Sequence, residues 1–346
     1  MAEGIVIGVD DLERQVAAIF SDAGLTRLQA DCVARVIVAG ERDACKSHGI
    51  YRIEGCLRTV AAEKVDPKAV PELADDGTAV IRVDAKGAFS PAAFAMGAPV
   101  LAQRAKELGL AALVINSCTH FSALWPEIEV LTDQGLAAMA MCPSYSSVAP
   151  TGGNAALLGT SPIAFGWPRP DRPPYVFDIA TSVVARGEIE LHRRSGKPMP
   201  EGWAIDKAGA PTTDPEAALQ GALLPFGGHK GSAISTMIEL LAGAMIGDLT
   251  SPEAMDYLGD MSLLPHHGEL VLAFSPEKFS ASRTDDPFQR AEMLLEAIIG
   301  QGARLPSQRR FAAREISLRD GISLSTKEID SLERLRQDAL RIGKTG

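Results

Sequence analysis

The chain has 346 residues, 46% hydrophobic and 23% charged, with a formal net charge of -10. That length is enough for a large core, as one large domain or two ordinary ones. The acidic balance excludes nucleic acid and anionic membrane as expected partners, while a local Arg or Lys cluster still suits a small anionic ligand.

The predicted elements begin with helices over residues 1–73. "DDLERQVAAIFSDAG" has helical apolar spacing, an acidic start and Gly24 as its stop. "TRLQ", Thr26 to Gln29, reads as a capping box for a second helix. His48 falls at a break before a third helix, with Arg52 in its first turns and Ile53, Leu57 and Val60 continuing the period. After "VDPKAVPEL" the pattern changes. "TAVIRVDA" reads as a strand and "SPAAFAMGAPVLAQRAKELG" as a helix with Pro91 near its start and Gly109 after its end. "LAALVINS" and "LAAMAMC" are strands on either side of a short helix from Pro126 to Gln134. A loop rich in Gly, Pro, Asn and Thr runs from Pro143 to Pro162, followed by short strands "IAFG" and "YVFDIA". "SVVARGEIELHRR" reads as a helix, and the stretch from there to Gly231 as irregular. "GSAISTMIELLAGAMIG" is an apolar helix, "GELVLAFS" a strand, and the tail from Asp286 helical, with "STKE" as another capping box. The expected organisation is a helical part over residues 1–73, an α/β cofactor-binding domain over 74–300, and a helical part over 301–346 packing on the first.

The five cysteines, Cys32, Cys45, Cys56, Cys118 and Cys142, form no C-x-x-C pair. They read as reduced core thiols of a cytoplasmic protein. The N-terminus lacks a basic segment followed by an apolar one, and no apolar run approaches the ~20 residues of a membrane span.

No G-x-G-x-x-G follows the first strand, which argues against a Rossmann dinucleotide fold, and no P-loop, G-x-S-x-G, H-E-x-x-H or EF-hand loop is present. No metal site is expected. His266 and His267 are adjacent, point different ways and read as surface residues.

Four stretches hold polar residues that a core would not choose. "SHGIYR" puts His48 and Arg52 about one helical turn apart, a proton carrier beside a carboxylate grip. The competing reading is a helix-end histidine and a surface arginine. "NSCTHFSALWPE" starts at a strand end and enters a helix. His120, Ser122 and the helix-start N–H groups suit a phosphate there, or else a loop histidine and a capping serine. "LLPFGGHKGS" combines Gly227, Gly228 and Gly231 with Lys230 ahead of a helix, which suits phosphate. In "FDIATSVVARGEIE", Asp178, Thr181 and Ser182 follow a strand, and Glu188 reads first as part of a solvated helix face.

At these stretches, and at "GTSPIAFG", the sequence resembles the type 2 malate/L-lactate dehydrogenase family, NAD(P)-dependent oxidoreductases of non-Rossmann fold. The motifs occur in family order across nearly the whole chain. "HFSALWPE" and "ALLPFGGHKGS" resemble the ketimine reductase branch, which reduces 1-piperideine-2-carboxylate and 1-pyrroline-2-carboxylate with NADPH. The resemblance implies His48 as proton donor, positioned by Ser47, with Arg52 on the substrate carboxylate and Thr160 facing the substrate. It implies cofactor contacts from His120, Phe121, Ser122, Ala123, Leu124, Asp178, Ala180 and Thr181, and from His229 and Lys230 at the phosphates. "RLPSQRR" resembles a late cofactor loop whose Arg304, Arg309 and Arg310 suit the extra phosphate of NADPH, with NADH possible. Where the malate and lactate branch usually carries lysine, this chain has Glu188. A carboxylate there would favour a charged His48 and a cationic iminium over a neutral ketone. The implied architecture is a homodimer, each chain having a mixed-sheet domain and a helical domain made from both chain ends. The rival expectations are a 2-hydroxy acid dehydrogenase acting on malate or lactate, and a non-catalytic binding protein on this scaffold.

Overall fold

A computed structural model describes residues 4–344. The expected absence of a leader concerns in part Met1–Glu3, which lie outside the described residues. The chain opens with β1 (Ile5–Ile7), α1 (Val9–Asp22) and α2 (Arg27–Arg42). A 3-10 turn over Lys46–His48 precedes α3 (Tyr51–Ala61). Helix α1 buries Leu12, Val16, Ile19 and Phe20, a stripe at helical spacing. Thr26 caps α2 by accepting from the Gln29 N–H, but the capping box is only half made. The buried Gln29 amide donates instead to the carbonyls of Asp66, Pro67 and Ala69, tying α2 to the loop that leads into the sheet.

Next come β2 (Glu72–Ala74), β3 (Val80–Asp84), α4 (Ser90–Leu108), β4 (Leu110–Thr119) and α5 (Trp125–Thr132). They are followed by β5 (Ala137–Met141), β6 (Ile163–Trp167), β7 (Tyr175–Ile179) and α6 (Arg186–Ser195). The stretch expected to be irregular holds β8 (Ala204–Ile205), β9 (Pro211–Thr212), α7 (Pro215–Gln220) and β10 (Ala222–Leu223). β8, β9 and β10 form a small sheet of their own, and two-residue strands carry no period to read. α8 (His229–Glu239) runs on as a π-helical turn over Leu240–Ala244. The chain closes with α9 (Ser251–Leu258), β11 (His266–Phe274), α10 (Pro276–Ser280), α11 (Pro287–Gly300), α12 (Gln308–Asp320), β12 (Ile322–Leu324) and α13 (Thr326–Ile342).

The main sheet is mixed, in the order β2-β3-β4-β11-β5-β6-β7. β3 and β4, joined by the α4 crossover, are parallel, and the other neighbours are antiparallel. Alternation along β4 sends Leu113 and Ile115 to the face covered by α4 and α5, and Val114 to the face covered by α8. A separate apolar cluster joins Leu12, Phe20, Ile37 and Ile53 to Leu332, Leu335 and Ala339, so helices from both chain ends share one core. β1 also pairs antiparallel with β12.

Two local expectations are corrected. The helix expected over Ser182–Arg194 starts only at Arg186, because Ser182 bridges to Pro225 and the Val183 N–H donates to Leu224 O at 2.8 Å. His267 is not a surface residue: both histidines lie in β11, where neighbouring side chains take opposite faces, and His267 is 1% exposed while His266 is half-buried. All five cysteines are free, and no helix among the described residues is long and apolar enough to cross a membrane.

Candidate functional site

His48 sits on the short turn between α2 and α3, and that turn is tightly held. Buried Glu41 accepts from the Ile50 N–H at 2.9 Å and pairs with Lys46. A Cβ on Gly49 would lie 2.0 Å from Glu41 Oε1, and one on Gly40 would lie 2.4 Å from the His48 carbonyl oxygen. Only glycine allows this approach of turn to helix. Gly49→Ala is therefore expected to cost about 1–3 kcal/mol from overpacking and to shift the turn. A thermal melt should show a lower Tm, and steady-state kinetics a lower kcat.

Arg52 Nε donates to the Ser47 carbonyl at 2.8 Å, and Arg52 Nη2 lies 3.4 Å from His48 Nε2. Guanidinium can only donate, so Nε2 is the acceptor and the ring proton sits on Nδ1, 3.0 Å from Ser47 Oγ. Burial, then the neighbouring Arg52 charge, push the His48 pKa down to about 3. The free protein thus holds His48 neutral, opposite to the charged form that the resemblance implies. No carboxylate among the described residues pairs with His48: Glu188, in the first turn of α6, is exposed and makes no ion pair with it.

The edge of Trp125 packs on the His48 ring, with centroids 6.0 Å apart. Asp178 holds this wall in place. Its Oδ2 accepts from the Leu124 N–H at 2.8 Å and the Trp125 N–H at 3.1 Å. Two of the helix-start donors that seemed fit for a phosphate are thereby taken. Burial raises the Asp178 carboxyl to about 6 against those two hydrogen bonds. Phe121, Ala123 and Leu124 pack into apolar clusters, and Ser122 is 7% exposed, so most of the "HFSAL" run is wall rather than open surface. His120 is buried too, its ring stacked on His267 with centroids 5.6 Å apart. It lies within electrostatic reach of His48 and Arg52.

Thr160 and Thr181 meet, Thr181 donating to the Thr160 carbonyl from its N–H at 2.8 Å and from Oγ1 at 3.0 Å. Buried Glu239 fixes the loop beside them, accepting from Ser161 Oγ at 3.1 Å and the Ser251 N–H at 2.8 Å. Ala180 is half-buried beside Thr181. His229 and Lys230 are exposed at the start of α8, after Gly227 and Gly228 at φ 56 and 60. This is a helix N-terminus with cationic and donor groups and no acidic partner among the described residues.

The late arginines divide. Arg304 and Arg309 are exposed and have no ion pair among the described residues. Arg310 is 7% exposed and committed elsewhere, so its expected place on a cofactor phosphate is corrected. It pairs with Asp43 Oδ2 at 2.9 Å and Glu129 Oε1 at 2.5 Å, and its guanidinium lies 5.0 Å from the Trp125 ring centroid. A buried cation is satisfied before any ligand arrives.

Sequence reasoning passed over Trp125 beside His48, Glu127 and Glu269 around His120, and Asp43 and Arg314 around Arg310. The readable signal for Glu269 was a lone acid inside the apolar strand "GELVLAFS".

The chain matches the Malate/L-lactate dehydrogenase family over residues 7–333. It is 67% identical over 341 residues to the Delta(1)-pyrroline-2-carboxylate reductase of Agrobacterium fabrum, covering 98% of this chain and 99% of that one. It is 52% identical to the Delta(1)-pyrroline-2-carboxylate/Delta(1)-piperideine-2-carboxylate reductase of Pseudomonas aeruginosa, covering 91% and 95%. The crystal structure of delta1-piperideine-2-carboxylate reductase from Pseudomonas syringae superposes with a TM-score of 0.91 at 39% identity, covering 96% of this chain and 99% of that one.

Proposed function

We propose a reaction for a chain that belongs to the malate/L-lactate dehydrogenase family: reduction of the cyclic imines 1-pyrroline-2-carboxylate and 1-piperideine-2-carboxylate to L-proline and L-pipecolate. The observation that carries it is the contact of Arg52 with a neutral His48 at a half-buried turn. Arg52 grips the ring carboxylate through paired N–H bonds. That carboxylate offsets one of the two influences that keep His48 neutral, so substrate binding raises its proton affinity. His48, oriented by Ser47, then exchanges a proton with the ring nitrogen. Trp125 and the apolar run behind it exclude water. Glu188, exposed in the first turn of α6, adds longer-range negative charge that favours a cationic iminium over a neutral ketone.

A nicotinamide cofactor supplies the two electrons when bound. The residues present fit its anionic part: His229, Lys230 and the Gly227–Gly228 backbone at a helix N-terminus, with Arg304 and Arg309 free for a further phosphate. That second pair of cations supports NADPH over NADH. His120, Ser122, Asp178, Ala180 and Thr181 shape the wall on the nicotinamide side. The fold holds the cofactor without a Rossmann fingerprint, between a mixed-sheet domain and a helical domain built from both chain ends. The working form is a cytoplasmic homodimer.

Purified protein is expected to oxidise NADPH rapidly with either cyclic imine and slowly with pyruvate or oxaloacetate, followed by nicotinamide absorbance. The reverse preference would return the chain to 2-hydroxy acid chemistry. Glu188→Lys is expected to lower kcat/KM for the imines by about tenfold, the equivalent of one pKa unit of lost charge stabilisation. Keto acid rates should not fall in parallel.

A further inference from the structure

Beneath His120 lies a group that the reaction above does not use. His120, Glu127 and Glu269 are 4%, 3% and 0% exposed. His120 Nε2 and all four carboxyl oxygens of Glu127 and Glu269 lack a hydrogen-bond partner. One such atom from each residue lies within 4.8 Å of the others, and His120 Nε2 is 3.6 Å from Glu269 Oε2. Three separate elements converge here: the end of β4, the first turn of α5, and β11. The pairing of β11 with β4 shifts register between His267 and Glu269. Such a bulge re-aims side chains, here sending Glu269 inward. Gly268 permits it, since a Cβ there would lie 2.5 Å from Ile246 Cδ1 and 2.9 Å from the Ile115 carbonyl oxygen.

Two carboxylates this close in a dry interior cannot both stay ionised. The nearby arginines are engaged: Arg310 with Asp43 and Glu129, Arg52 with Ser47 and His48. The other titratable groups facing the cluster are Asp178, the thiols of Cys118 and Cys142, and His267, with His48 and Arg52 on the site side. A proton needs only the two carboxyls, whereas a divalent ion would need a water to complete the three protein ligands.

We propose that Glu127 holds a proton that it donates to the Glu269 carboxylate, and that Glu269 in turn keeps a proton on His120 Nε2, so that one negative charge stands behind the imine site. Burial and then the Glu269 charge push the Glu127 carboxyl up. Burial also raises Glu269, but the adjoining Glu127 carboxyl works the other way. Glu269 Oε2 is the carboxyl oxygen 3.6 Å from His120 Nε2, so Glu269 stays the acceptor there and the shared proton goes to Glu127. The unit fixes the His120 tautomer and adds a buried anion that favours a cationic substrate. Glu127 and Glu269 are thus positioning residues acting through His120, and this role rests on the imine-reductase reading.

The test has two arms. Infrared spectra of the folded protein at neutral pH should show the carbonyl stretch of a protonated buried carboxylic acid, lost in Glu127→Gln and shifted in Glu269→Gln, where burial keeps Glu127 protonated but its carboxylate acceptor is gone. In the activity arm, Glu269→Gln should lower imine kcat/KM about tenfold and move the pH dependence of kcat down by about one unit, because the nearby imidazoles lose an anion. Glu127→Gln should lose less, since its amide still donates to Glu269. Absence of the carboxylic acid band from the wild type, or a stoichiometric divalent metal in the purified protein, would overturn the shared proton. An unmoved pH profile in Glu269→Gln would overturn its link to the reaction. A band in a protein that fails to reduce imines would support the shared proton and overturn only the imine reading. The wild-type spectrum and metal content need no variant, so misfolding of either variant leaves the proposal refutable.

Discussion

His48→Ala is expected to lower kcat for imine reduction by about 10²–10⁴-fold, the usual span for a general acid or base, with KM changed little. Arg52→Ala is expected to do the opposite, raising KM strongly with a smaller loss in kcat. The split follows from geometry. Arg52 is fixed by its bond to the Ser47 carbonyl and presents a planar donor fork, so it supplies binding. His48 is held in one tautomer between Ser47 Oγ and Arg52, and so presents a defined nitrogen to the reacting atom. Steady-state kinetics of both variants, with either imine, would separate the roles. Unchanged turnover in His48→Ala would remove it as the proton carrier.

Asp43→Ala is expected to destabilise the protein by about 3–5 kcal/mol, the cost of leaving buried cations without their partner. Asp43, 1% exposed, receives three guanidinium groups: Arg42 Nε at 2.7 Å, Arg310 Nη1 at 2.9 Å and Arg314 Nε at 2.9 Å. Among the described residues, Glu129 supplies the only second carboxylate in the network. The acid stands at the C-cap of α2, where the helix dipole alone disfavours an anion, and the arginines reverse that preference. Burial works to raise the Asp43 pKa, but the hydrogen bonds from Arg314 and Arg42 and their charges bring it down to about 2 from an ordinary 3.8. The folded pKa is depressed, so the contribution is fully present above about pH 3.8 and is lost as pH falls through about 2. Its size is roughly 2 kcal/mol, from about 1.36 kcal/mol per pKa unit. Urea unfolding at neutral pH should show the full loss in Asp43→Ala. The drop in wild-type stability across the acid window should be reduced in Asp43→Asn.

Much of the fold is legible where the controlling interactions are local. The apolar stripe of α1 and the Ser325–Glu328 capping box of α13 depend on neighbours within a turn or two. The contact between His48 and Arg52 is equally local, four residues apart across a helix start. Where a local rule had a distant competitor, the reading failed. Gln29 left its capping box for three carbonyls, one of them forty residues away. Asp178 took the Leu124 and Trp125 N–H groups, more than fifty residues back.

By itself, then, the sequence determined the longer helices and the inner strands of the main sheet, the family, and the local trio Ser47, His48 and Arg52, because periodicity, caps and motifs report interactions along the chain. Only the tertiary structure decided which charges are free to act. Arg310 looks like a phosphate ligand in "RLPSQRR" and proves to be the partner of Asp43, 267 residues away. Glu127 and Glu269 lie in segments far apart in the chain, and become a functional question only when α5 and β11 bury them together. The reason is physical: the charge state of a side chain depends on its desolvation and on the charges within a few ångströms. Both are set by packing between elements that no local pattern in the chain records.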